Sequence, residues 1–359
     1  MKKQKQFFQH PDLYVRQCAQ MGVKMKEEIN SNIELQEEIN YSIDVIIPVY
    51  KPDGKFTQLI ERLVKQSKKP GRILLLHTVE ESDDNLKFTQ NEKAKETIAW
   101  AIEQSSDECR IEAIEIKKTE FDHGGTRNYG ASLSQADIML FMTQDAVPAD
   151  AHLVQSILSP FQDANVAAAY GRQLASPKSG MIEQYTRQFN YPGESYVKTL
   201  EDLPRLGIKT YFCSNVCAAY RKTVYDSLGG FVTKTIFNED MIMAAGIIGA
   251  GYTIAYSAEA RVYHSHAYSY IQQFKRNFDL AVSQKQYDYI FAEIKSESEG
   301  IKLVKQTLKY LIDKKQYLLI PDLVLESGFK YLGYKAGINY ERLPIDIVRR
   351  FSMNPSYWN

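Results

Sequence analysis

Ile43-Asp44-Val45-Ile46-Ile47-Pro48-Val49-Tyr50 opens as an apolar run of β-branched residues and ends at a proline. That is the pattern of a buried strand leaving a sheet at its carboxyl end. Four more apolar runs, at residues 72–76, 111–116, 138–142 and 166–170, alternate with amphipathic stretches at 56–65, 92–104, 127–134 and 151–161. Strands that alternate with helices predict an α/β fold with a mainly parallel central sheet flanked by helices. Ligands of such sheets collect beyond the carboxyl ends of the strands, where Pro48 and Tyr50, His77 and Thr78, and Gln144 and Asp145 all fall.

The strand at 138–142 runs into Thr143-Gln144-Asp145, and before it stands Phe121-Asp122-His123-Gly124-Gly125-Thr126-Arg127-Asn128. Two glycines let backbone amides approach an anion, Arg127 adds a permanent positive charge, and Asp145 sits where a cation can be held. These are the parts of a nucleotide diphosphate site.

A chain of 359 residues with 44% hydrophobic content buries a core large enough for one big domain with an extension, or for two domains. Lys+Arg and Asp+Glu balance at 44 each, so no nucleic acid is expected as a partner. Cys18, Cys109, Cys213 and Cys217 are few and scattered. The spacing Cys213-Ser-Asn-Val-Cys217 is not that of a zinc knuckle, so these thiols are expected as buried small side chains. The N-terminal residues lack the pattern of a secretory signal, and no run of about 18 uncharged apolar residues occurs. A cytoplasmic protein is expected, open to peripheral attachment at the inner face of the cell membrane.

Three regions follow: an N-terminal helical extension at 1–40 with a helix over 23–38, a catalytic domain at 41–266, and a helical C-terminal region at 267–359. Within the second, 181–211 is Tyr-rich and divided by Pro and Gly, as suits a substrate wall; Tyr185, Phe189, Tyr191, Tyr196 and Tyr211 are candidates for stacking on sugar faces. After Asn238-Glu239-Asp240, residues 241–250 read as a helix, with strands near 253–256 and 261–263. Residues 301–350 hold ten Lys/Arg and five Asp/Glu, a local net of +5 interspersed with leucines. Such helices pack on a domain, lie on an anionic membrane surface, or join a second copy in a homo-oligomer.

The chain resembles family 2 glycosyltransferases of the GT-A type over residues 43–266: Pro48-Val49-Tyr50, Arg127-Asn128, Asp145 and Asn238-Glu239-Asp240 follow that family's order. More narrowly, His123-Gly124-Gly125-Thr126-Arg127-Asn128, Thr143-Gln144-Asp145-Ala146 and the ending Tyr331-Leu-Gly-Tyr-Lys-Ala-Gly337, with Leu343-Pro344 and Tyr357-Trp358, resemble bacterial rhamnosyltransferases, including those building streptococcal rhamnose polysaccharides. The resemblance implies the GT-A nucleotide-diphospho-sugar transferase fold and a nucleotide-sugar donor, dTDP-rhamnose, with a glycan or lipid-linked glycan as acceptor. A UDP-hexose donor, or a non-catalytic nucleotide-sugar scaffold, is the alternative.

Two departures stand out. The family's Asp-X-Asp becomes Gln144-Asp145-Ala146-Val147, so one acidic ligand is missing, and Asp145 with His264 and His266 is the expected set for Mg²⁺ or Mn²⁺. The Asp-rich turn after strand two is replaced by Glu80-Glu81-Ser82-Asp83-Asp84. Transfer requires displacement at an anomeric carbon, and the acceptor hydroxyl needs a carboxylate to take its proton. Asp240 is the candidate base, with Glu239 beside it on the acceptor side. Pro48, Tyr50, His77, Gly124, Gly125, Arg127, Gln144 and Asp145 are expected around the donor, Arg127 and the two glycine amides stabilising the leaving diphosphate. Attack on one face and departure from the other imply inversion, a β-linked nucleotide rhamnose giving an α-rhamnoside.

Overall fold

The computed structural model describes residues 39–80, 85–266, 268–291 and 297–358. The helix expected over 23–38, Cys18 and the acids at 81–84 lie outside them. Nine strands form one sheet: β1 (Ile43–Val49), β2 (Arg72–Val79), β3 (Arg110–Lys117), β4 (Ile138–Met142), β5 (Val147–Pro148), β6 (Val166–Leu174), β7 (Tyr196–Lys198), β8 (Cys217–Arg221) and β9 (Thr253–Tyr263). The order is β3-β2-β1-β4-β8-β6-β9-β5, with β7 also on β9. The helices that matter here are α1 (Gly54–Leu63), α2 (Asn85–Glu103), α3 (His123–Leu133), α4 (Leu153–Leu158), α5 (Met181–Asn190), α6 (Glu239–Gly249), α7 (Tyr270–Gln286), α8 (Glu297–Asp313), α9 (Ile320–Ile338) and α10 (Ile345–Phe351).

Residue alternation on β1 explains the layering, because successive side chains leave a strand on opposite faces. Val45 and Ile47 meet Phe56, Leu59, Ile60 and Leu63 of α1 on one face. Ile46 joins Leu74, Leu76 and Phe141 on the other, against Ala131 of α3. β1 to β4 are parallel, as expected. The expected strands at 253–256 and 261–263 are one strand, parallel to β6 and irregular in register where the reading had broken it. β8 was not anticipated. It runs antiparallel between β4 and β6, and all five of its residues are buried.

The helical region packs on this frame in several places, with Phe291 entering the main core. Phe278, Val282 and Val348 close over Ile236, and Leu311 and Leu323 over Ile182. α9 lies tightly along α7: a Cβ on Gly333 would fall 2.1 Å from the Phe274 carbonyl oxygen, and one on Gly337 2.3 Å from that of Phe278. Tyr357 donates to the Lys234 carbonyl at 3.1 Å, tying the C-terminal turn to the segment before α6. Among the described residues no helix is long and apolar enough to cross a membrane.

Candidate active site

The Gly-Gly-Thr-Arg-Asn run starts α3, and Gly124, Arg127 and Asn128 within it hold the 228–240 segment in place. A Cβ on Gly124 would lie 1.9 Å from the Val232 carbonyl oxygen, so only glycine permits this approach. Asp122 caps the helix, accepting the Gly125 amide at 2.6 Å through Oδ1 and the Lys234 amide at 3.0 Å through Oδ2. Asn128 accepts the Phe231 amide at 2.8 Å and donates to the Phe231 carbonyl at 2.8 Å. Arg127, buried, reaches the His123 carbonyl and forms an ion pair with Glu239 at 3.1 Å. The amide of Gly125 and the charge of Arg127, both read from sequence as diphosphate ligands, are thus engaged inside the protein.

α6 enters through Asn238 at φ +65°, a left-handed conformation that asparagine tolerates better than most residues. Its side chain does not cap the helix; it donates to the Leu280 carbonyl of α7 at 3.2 Å. This entry points two adjacent carboxylates into contrasting surroundings. Burial alone would push Glu239 up, but the positive charge of Arg127, aided by His123 and Asn215, holds it below the ordinary range. Asp240 is pushed up to about 7, first by burial and then by the negative charge of Glu239. Its Oδ2 accepts the Asn215 amide at 3.2 Å, its Oδ1 the Met241 amide at 2.8 Å. A pair of neighbouring acids driven apart in this way leaves one permanently ionised and one able to exchange a proton near neutrality.

Beyond the carboxyl end of β4, Asp145 Oδ2 lies 3.6 Å from His264 Nε2 and 3.4 Å from His266 Nε2, and the two ring nitrogens are 2.8 Å apart. Gln173 of β6 fixes the tautomer of His264: its Oε1, which can only accept, faces His264 Nδ1 at 3.0 Å, so Nδ1 carries the hydrogen and Nε2 presents its lone pair. Burial, with Arg187 and His266 nearby, holds His264 well below the usual imidazole range. Burial also lowers His266, against the opposing pull of Asp145. Two neutral imidazoles and one carboxylate, with donor atoms all within 4.8 Å of one another, form a set able to hold a divalent cation.

A chain of polar contacts joins the two clusters. Gln173 Nε2 donates to Ser214 Oγ at 3.1 Å, and the next residue, Asn215, gives its amide to Asp240. Gln173, Ser214 and Asn215 were not singled out from sequence, although the last two lie between the cysteines considered for metal binding. Cys213 and Cys217 are buried free thiols, as expected of small core side chains. Arg187 donates to Gln173 at 2.5 Å, and with Arg276 and Lys55 it supplies the positive charge felt by His264.

The remaining expected residues are placed as follows. Gln144 accepts the Tyr50 amide at 2.7 Å and donates to the Tyr50 carbonyl at 3.0 Å, so it fastens the end of β1 to the end of β4. An ionised carboxylate, which only accepts, could not do both. The Tyr50 hydroxyl donates to Glu80 and accepts from Lys118, at 2.9 and 3.1 Å. Pro48 pairs in register with Leu76, and His77, buried in β2, is lowered by burial. The tyrosines divide: Tyr191 and Tyr211 are core residues, and Tyr185 stacks on Tyr310 with ring centroids 4.4 Å apart, so these rings are engaged within the protein. Tyr196 stays partly open, its hydroxyl 3.1 Å from that of Tyr170.

The sequence model of glycosyl transferase family 2 matches residues 44–229. The chain is 38% identical over 321 residues to the O-antigen chain rhamnosyltransferase WbaN of Salmonella anatum, covering 89% of this chain and 96% of that protein. It is 36% identical over 319 residues to the O-antigen chain rhamnosyltransferase RfbN of Salmonella typhimurium, covering 88% and 96%. Among solved structures it is similar in fold, with a TM-score of 0.55 and 11% identity over 91% of this chain and 96% of the other, to the mannosyltransferase PcManGT of Pyrobaculum calidifontis, solved with GDP-Man and Mn²⁺. With that family model over more than half of the chain, relatives matched along nearly their whole length and a GT-A sheet beneath the site, the protein belongs to glycosyl transferase family 2 and is a glycosyltransferase.

Proposed function

We propose that this protein is an inverting rhamnosyltransferase that moves L-rhamnose from dTDP-rhamnose to a growing cell-surface polysaccharide, with Asp240 as the general base. The observation that carries the chemistry is the pair Glu239–Asp240. Arg127 keeps Glu239 ionised, and burial together with the charge of Glu239 keeps the Asp240 carboxyl poised near neutrality. The choice of sugar and acceptor rests on the two O-antigen rhamnosyltransferases to which the chain is similar.

Asp240 accepts the proton of the acceptor hydroxyl while that oxygen forms its bond to the anomeric carbon. The bond from this carbon to the diphosphate breaks on the opposite face, its electron pair leaving with the nucleotide. The amides of Asn215 and Met241 hold the two carboxylate oxygens of the base in position. Asp145, His264 and His266 would hold a divalent cation, and two imidazoles favour Mn²⁺ over Mg²⁺. Such a cation, when bound, neutralises charge on a leaving diphosphate. Arg187, Arg276 and Lys55 add positive charge on the same side, in place of the engaged Arg127.

The test is incubation of the protein with a panel of nucleotide sugars and a synthetic rhamnoside or lipid-linked acceptor, followed by product mass and linkage. An α-rhamnoside formed from dTDP-β-L-rhamnose is expected. Turnover of a UDP-hexose instead reassigns the donor, and no turnover of any donor reduces the protein to a binding scaffold.

A further inference from the structure

Helix α9 is apolar on the side that faces away from the protein. Leu318, just before its first residue, is 95% exposed, and Val324, Leu325, Tyr331 and Leu332 are between 49% and 61% exposed. Val324 and Tyr331, like Leu325 and Leu332, are seven residues apart, about two turns, so these four fall on one face of the helix. The opposite face is already used: Gly333 and Gly337 lie against α7, and Leu323 is buried with Ile182 and Leu311. A helix that is apolar all round has a second surface to cover.

Charge identifies the cover. Residues 301–350 carry a net of +5 in a chain whose formal charge is zero, so this is the basic part of the molecule. The acids nearest the stripe are engaged, Glu326 with Lys330 at 2.5 Å and Asp322 with the Tyr270 hydroxyl. Lys314 and Lys315 are exposed beside Tyr317 and Leu318, and Lys335 is exposed at the far end. Leucine and valine edged by tyrosine and lysine suit the boundary of an anionic bilayer, where apolar side chains enter the acyl region and ammonium groups meet phosphates. A second copy would instead bring two surfaces of the same excess charge together.

We propose that the outer face of α9, led by the Tyr317–Leu318 turn, docks on an anionic membrane surface. This does not depend on the donor, acceptor or base assigned above. Flotation with phosphatidylcholine vesicles, with and without phosphatidylglycerol, tests it on the full chain. Binding to the phosphatidylglycerol vesicles alone is expected, abolished by Leu318→Asp with Leu325→Asp and weakened about tenfold by Lys314→Gln with Lys315→Gln. Both variants alter exposed positions and should retain the melting temperature of the parent and its activity toward a water-soluble acceptor. A full chain that ignores anionic vesicles, or variants that float as well as the parent, overturns the proposal. So does a dimer in sedimentation that Leu325→Asp dissociates, which would give the face to a second copy.

Discussion

The two sides of the candidate site handle charge in opposite ways. On the α3–α6 wall, Arg127 and Glu239 pair inside the protein, while burial first and the charge of Glu239 second raise the pKa of Asp240 beside them. On the β4–β9 wall, Asp145, His264 and His266 point donor atoms at a common centre, with positive side chains standing close by. One wall is electrically complete and tunes a proton acceptor; the other is built to be completed by something that binds.

If that contrast is right, replacing the proton acceptor has the largest effect on turnover. Asp240→Asn should lower transfer by about 10³-fold while nucleotide binding is retained, as loss of general-base catalysis implies; near-normal turnover would remove Asp240 from the reaction. Arg127→Met should act first on the fold. It strands a buried carboxylate, costing about 3–5 kcal/mol in a denaturation midpoint experiment. A melting curve like the parent's would mean the pair is not closed off from water.

The histidine wall should respond to cation rather than to the fold. Gln173→Leu releases the tautomer of His264 and should weaken Mn²⁺ affinity by about 10–100-fold, read by isothermal titration, with activity restored at high Mn²⁺. Activity that survives prolonged chelation would break the assignment of this wall.

The smallest effects concern pH. Because Asp240 must be ionised to accept a proton, kcat/KM should rise with pH through a midpoint near 7, and Glu239→Gln should shift that midpoint downward by removing the neighbouring charge. Stability runs the other way. A carboxyl whose folded pKa is raised is harder to ionise in the native state, so the fold loses stability as pH climbs from the ordinary carboxylate range through about 7. Asp240→Asn should therefore gain more stability over the parent at pH 8 than at pH 5, the two gains differing by on the order of 2–3 kcal/mol. An equal change in melting temperature at both pH values would contradict the raised pKa.

Much of the sheet could be read from the chain because β1, β2 and β4 are buried on both faces and therefore apolar almost throughout, while the edge strand β3 alternates apolar and charged residues. β8 escaped because Cys-Ala-Ala-Tyr-Arg is short and built of small residues, with neither a β-branched run nor alternation. Asp145, His264 and His266 do come together, and Glu239 and Asp240 do share one helix start. What sequence could not show was the use made of the glycine motif. Gly-Gly before Thr-Arg-Asn carries the same letters whether it faces a phosphate or the backbone of Val232, and only the tertiary approach distinguishes them. Gln173 and Asn215 act through a side-chain amide and a backbone amide, which leave no distinctive spacing.

The single acid of the metal cluster has one more consequence. With one carboxylate fewer than the Asp-X-Asp of the family that the chain resembles, the cluster around Asp145 bears a single negative charge, since both imidazoles are held neutral. A doubly charged ion held there alone would leave a surplus of positive charge in a partly buried place, and a nucleotide diphosphate is what cancels it. Ion and donor would then enter as one unit, so the order of addition is written into the loss of a carboxylate.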